Sequence, residues 1–109
     1  MITQIDQSAE IFTLINTFHT SPDRQPAIVE SLRRFTEDFA RARPGFISAS
    51  VHVSLDGARV VNYVQWRHRA DLQSMLETPE AQGHLADVGA LADRVDPVPY
   101  RVAYVGSTR

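Results

Sequence analysis

Apolar side chains recur at two spacings along this chain, every second residue in some stretches and every third or fourth in others, and the alternation of the two predicts its elements. From about Ile11 to Phe18 threonines alternate with apolar residues, the pattern of a strand with Phe12, Leu14, Asn16 and Phe18 on one face. Ser21-Pro22-Asp23 ends it. Asp23 is the expected N-cap of a helix reaching about Ala42, since Pro26 then falls in the first turn, where a missing N–H breaks no hydrogen bond. That helix carries an apolar stripe of Ile28, Leu32, Phe35 and Phe39. Its outer face pairs Glu30 with Arg34, Arg33 with Glu37 and Glu37 with Arg41, four residues apart.

Pro44-Gly45 breaks the helix, and a second strand from Phe46 to about Ser54 turns at Asp56-Gly57, a strong hairpin signal, into a third from Ala58 to Arg67. A two-residue turn sets Leu55 opposite Ala58, Val53 opposite Val60 and Val51 opposite Asn62. Ile47, Ala49, Val51 and Val53 then share the face of Asn62. Two helices follow, about Ala70 to Leu76 and Pro79 to about Ala92, the latter opened by the cap, proline and carboxylate of Thr78-Pro79-Glu80. A last strand is expected over about Val98 to Val105. The order predicts an α+β fold, the ferredoxin-like split βαβ arrangement with helices on one face of a four-stranded antiparallel sheet. The other face would carry Ser48, Ser50, His52, Val61 and Tyr63, too apolar to stand bare. A homodimer that packs two such sheets together would cover it.

Composition narrows the function classes. At 109 residues, 43% of them hydrophobic, the chain has material for one domain with one core. A net charge of -2 and the absence of any Lys/Arg block argue against a nucleic-acid partner. With no cysteine there is no disulfide, thiol nucleophile or thiolate metal site. The first residues lack the pattern of a signal peptide and no apolar run has membrane-spanning length, so a cytoplasmic protein with no membrane partner is expected.

The third strand holds the candidate chemistry. Val60, Asn62, Val64 and Trp66 share one face of it, which puts an amide and an indole N–H on an apolar surface, although Asn disfavours strands. A concave face of that kind suits a flat, partly polar organic molecule. Asn16 joins Asn62 if the first strand lies beside the third. His84 lies beside the helical stripe of Ala81, Leu85, Val88 and Leu91, as a packed or rim histidine or as part of the same pocket.

Pro44-Gly45-Phe46, the Asp56-Gly57 hairpin, the strand Asn62-Tyr63-Val64-Gln65-Trp66 and the Tyr-containing last strand together resemble the antibiotic biosynthesis monooxygenase family over nearly the whole chain. The resemblance implies a dimeric α+β barrel that oxidises an aromatic polyketide anthrone or phenol to a quinone with molecular oxygen, with no metal or flavin. It also implies that Asn62 and Trp66 are catalytic. The similar anthrone oxidase carries tyrosines where this chain has Val51 and Leu72, and an Arg on the later helix where this chain has none between Arg69 and Arg94. Val51, Leu72, Asn16 and His84 are accordingly the expected substrate-binding positions. Two alternatives share the fold. Haem-degrading monooxygenases are similar at Asn16 and at His84, where their iron ligand lies, but their helical Trp is replaced by the segment Gln73-Ser74-Met75-Leu76. A non-catalytic or cyclase-like barrel would hold an aromatic ligand in the same pocket.

Overall fold

The structure is a computed structural model that describes residues 11–108, so the reading of the first few residues lies outside it. Four strands, β1 (Phe12–His19), β2 (Phe46–Val53), β3 (Arg59–Trp66) and β4 (Arg94–Tyr100), form one antiparallel sheet in the order β2-β3-β1-β4. Three helices, α1 (Gln25–Asp38), α2 (Arg69–Leu76) and α3 (Pro79–Gly89), supply the crossovers, which is the split βαβ arrangement the element order predicts. Among the described residues no helix is long and apolar enough to cross a membrane.

The hairpin register holds as expected, with Val53 opposite Val60 and Val51 opposite Asn62, but its turn differs. The Gly57 N–H donates to the Ser54 carbonyl at 3.1 Å, so Leu55 and Asp56 occupy the corners and Gly57 follows at φ 76°. Asp56 Oδ1 accepts from the Ala58 N–H and the Ser54 hydroxyl, and these bonds hold its carboxyl below the usual carboxylate range. At the other end of β2 a bulge between Phe46 and Ser48 absorbs Ile47. Phe46, not Ile47, therefore faces Trp66.

Other boundaries also depart from expectation. Asp23 does not cap α1: Arg24 precedes the helix without a side-chain cap, the Ser21 carbonyl accepts the N–H groups of Arg24 and Gln25, and Asp23 instead accepts from the Ser21 hydroxyl. The helix stops at Asp38, and Ala40–Ala42 form a separate 3-10 turn that leads to Gly45. Its surface pairs are Arg33 and Arg34 with Glu30, and Arg41 with Glu37; Arg33 turns to the nearer Glu30 instead of Glu37. Helix α3 ends at Gly89, earlier than Ala92, although Thr78 caps its start by accepting the Ala81 N–H. Strand β4 begins at Arg94 and ends at Tyr100, earlier than expected, and contains Pro97 and Pro99. It is an edge strand, and the two prolines alternate, so their missing N–H groups fall on one side where no ladder partner is needed.

The cross-strand register aligns side chains in rows on the helix side of the sheet. Val53, Val60, Phe18 and Val95 form one row, and Ala49, Val64, Leu14 and Pro99 another. Between them runs Val51, Asn62, Asn16 and Pro97. The core divides along this polar row. Phe18, Ile28, Leu32, Val60 and Val88 form a cluster on one side, while Val64, Trp66, Leu72, Met75 and Ala81 form a second on the other.

Candidate active site

Where the two clusters part, the structure holds a hollow. Its floor is Asn16, Asn62, Val64 and Trp66 from the sheet, its walls include Leu32 and Phe35 of α1, and its roof is Leu72 and Met75 of α2 with Ala81 and His84 of α3. The centre of a water-sized sphere can move through about 70 Å³ of it, and the atom-free space, mouth included, is about 600 Å³. The cause is local. Strand alternation puts Asn62 and Trp66 on the same face, the β1–β3 register puts Asn16 directly opposite Asn62, and two amides cannot interlock with the aliphatic side chains above them.

Three polar atoms at this hollow are not satisfied by the described residues. Asn62 is 8% exposed and Trp66 1%. The Oδ1 atoms of Asn16 and Asn62 and the Nε1–H of Trp66 are all buried without a hydrogen-bond partner among the described residues. Each such group costs about 1–3 kcal/mol to leave unpaired, and native proteins carry few of them. Three at one cavity mark a place built to bond something else. The indole N–H donates, and either amide can present its carbonyl or, by rotation of its last torsion, its NH₂. Trp66 is held in position edge-on against Phe46, with ring centroids 5.5 Å apart at 87°.

Of the residues expected in the pocket, Asn16, Asn62, Trp66, Leu72 and His84 come together here. Val51 does not. It pairs with Asn62 across the hairpin and packs against the Phe18 cluster, but it is not among the residues that line the hollow. His52 is exposed on the opposite face, 3.0 Å from the Ser50 hydroxyl. His84 is half-buried and stacks flat on Phe35, with centroids 4.1 Å apart and planes 4° apart; burial lowers its pKa below the ordinary 6.5, and nearby Asp87 partly opposes this. Sequence reading placed Phe35 in the apolar stripe of α1 and did not identify it as the partner of His84. The α1–α3 packing that joins them leaves no local signal.

Of the residues behind the haem reading, Asn16 and His84 both line the hollow, while the segment in which that reading wants a Trp contributes Met75 and Leu76. No group of three or more His, Asp or Glu residues that could hold a metal ion occurs among the described residues.

Comparison with known proteins agrees with this geometry. The family model described as antibiotic biosynthesis monooxygenase matches residues 11–87. Tetracenomycin-F1 monooxygenase of Streptomyces glaucescens is 45% identical over 80 residues, which cover 73% of this chain and 71% of that protein. Among solved structures, Rv0793 from Mycobacterium tuberculosis is similar at a TM-score of 0.75 and 26% identity, over 89% of this chain and 99% of that one. SnoaB from Streptomyces nogalater, described as a cofactor-independent oxygenase, matches at a TM-score of 0.70 and 18% identity, over 89% of this chain and 97% of its own. At that identity the likeness bears on the fold.

Proposed function

The chain belongs to the antibiotic biosynthesis monooxygenase family, and from that premise we propose that it is a cofactor-independent monooxygenase that oxidises an aromatic polyketide-type anthrone or phenol to a quinone. The observation that carries this reading is the set of three unpartnered polar atoms, on Asn16, Asn62 and Trp66, at one apolar hollow. An anthrone has a methylene between two aryl rings, conjugated to a carbonyl. Loss of one methylene proton gives an enolate, which passes an electron to oxygen. Recombination of the radical with superoxide, then protonation, gives a hydroperoxide. Loss of water from it leaves the quinone carbonyl, so one oxygen atom ends in product and one in water. The protein's part is electrostatic. The Asn62 amide donates to the oxygen on which charge develops, the Trp66 N–H meets a second oxygen, and Asn16 orients the same edge of the ligand.

Binding of a three-ring ligand is expected to move side chains at the mouth of the hollow. Leu85, 46% exposed, and half-buried Leu76 are the lining side chains with room to give way. Incubating the protein with dithranol under air, while oxygen uptake and quinone absorbance are followed, tests the reading. Quinone formation above the spontaneous rate supports it, and binding without turnover supports the non-catalytic barrel in its place.

The working form is a homodimer in this reading. On the sheet face away from the helices, Ser50, Tyr63, Ile15 and Val98 form one row and Ser48, Gln65, Thr13 and Tyr100 another. Val98 and Tyr100 stand 40% and 50% exposed, and a second copy of the chain has the surface to cover them.

A further inference from the structure

His84 is the one titratable side chain among the described residues lining the hollow. It also lines an open groove on the outer side of the helices, between α1 and α3. Phe35 accompanies it on both linings, so the stacked pair is the partition between an apolar chamber and solvent. Stacking covers one face of the imidazole. Its two nitrogens, on the ring edge, have no hydrogen-bond partner among the described residues.

From this placement we propose that His84 is the general base of the reaction, taking the acidic C–H proton of the substrate on the chamber side and exchanging it with water in the groove. The proposal rests on the anthrone-oxidation reading. The C–H bond breaks, an N–H bond forms on the imidazole, and the electron pair stays on the substrate as enolate. After oxygen adds, the imidazolium returns the proton to the peroxide anion. In the last step the neutral ring removes the second methylene proton as the O–O bond breaks, and the departing hydroxide leaves as water with that proton. No proton is gained or lost overall. The groove suits the charged intermediate. Glu80 and Asp87 of α3 and Glu30 and Asp38 of α1 face it against the single guanidinium of Arg34, a balance that favours a transient imidazolium. At rest, burial keeps the ring toward its neutral form, as a base near pH 7 requires.

The test measures dithranol oxidation from about pH 5 to about pH 9 by wild type, His84→Phe, which keeps a ring on Phe35, and His84→Gln, with circular dichroism as the check on folding. Wild-type kcat/KM is expected to fall as pH drops through a pKa below the ordinary 6.5. Both variants are expected to lose that inflection and about 100-fold in kcat at neutral pH, and then to speed up in proportion to hydroxide. Added imidazole is expected to restore turnover in His84→Gly. A wild-type rate and pH profile in a folded His84→Phe or His84→Gln overturns the assignment. If Asn62→Ala is meanwhile slow, only the base falls and the site stands; if wild type makes no quinone, both fall.

Discussion

At the scale of single residues, the site is a set of polar groups placed where the surrounding sequence is apolar. Asn62 sits between Val60 and Val64 on its face of β3, and its carbonyl has no hydrogen-bond partner among the described residues. Removing an oxyanion donor in a dry site costs roughly 3–4 kcal/mol, so Asn62→Ala is expected to lower kcat on dithranol by about 100-fold or more. Trp66→Phe keeps most of the packing against Phe46 but deletes the N–H. A hydrogen bond to a charged group is worth about 1.5–3 kcal/mol, which corresponds to about tenfold or more in kcat, with the thermal transition little changed. Steady-state kinetics beside a melting curve separate the two effects, and unchanged rates in both variants would remove these residues from the chemistry. Their common face was legible in the sequence, because strand alternation alone assigns it. The loss of Val51 from the pocket was not, since the alternation that puts it beside Asn62 says nothing of how far the hollow extends along the row.

At the scale of elements, the joint between α1 and β2 sets the end of the site where Trp66 lies. Gly45 has φ 83°, its carbonyl accepts the Arg67 N–H at 2.8 Å, and a Cβ there would collide with the Asp71 side chain at the start of α2. Gly45→Ala is therefore expected to lose about 1–2 kcal/mol from the left-handed backbone alone, with a further loss from the collision. Urea melts of Gly45→Ala, Asp71→Ala and the double variant measure that second part, because only the collision is relieved in the double variant. If Gly45→Ala melts like wild type, this joint does not depend on glycine. Pro44-Gly45 announced a break in the sequence, but the bulge that swaps Ile47 for Phe46 did not. A bulge depends on what the strand meets across the sheet, and here that is the indole of Trp66. The same holds for β4, where Pro97 and Pro99 read as breakers until the strand is known to be at an edge.

At the scale of the whole molecule, the sheet has two unlike faces, one closed by helices and one carrying Ile15, Tyr63, Val98 and Tyr100. Sedimentation equilibrium is expected to give twice the 12.2 kDa chain mass, and Tyr63→Asp, a charge in the middle of that face, to shift the equilibrium to monomer. A wild-type monomer at all concentrations would sink the dimer. The groove between α1 and α3 lies on the helix side of the sheet, so a dimer formed through the other face would leave it open.

The order of the elements, the α+β class, the hairpin register and the common face of Asn62 and Trp66 follow from the sequence by itself, because they rest on periods of two and of 3.6 residues and on local turn chemistry. Only the tertiary structure decided that Asn16 stands opposite Asn62, that the polar row splits the core into two clusters, and that Phe35 meets His84 across two helices. Each of these joins residues far apart in the chain, and such contacts are selected by the packing of whole elements, which no local pattern encodes.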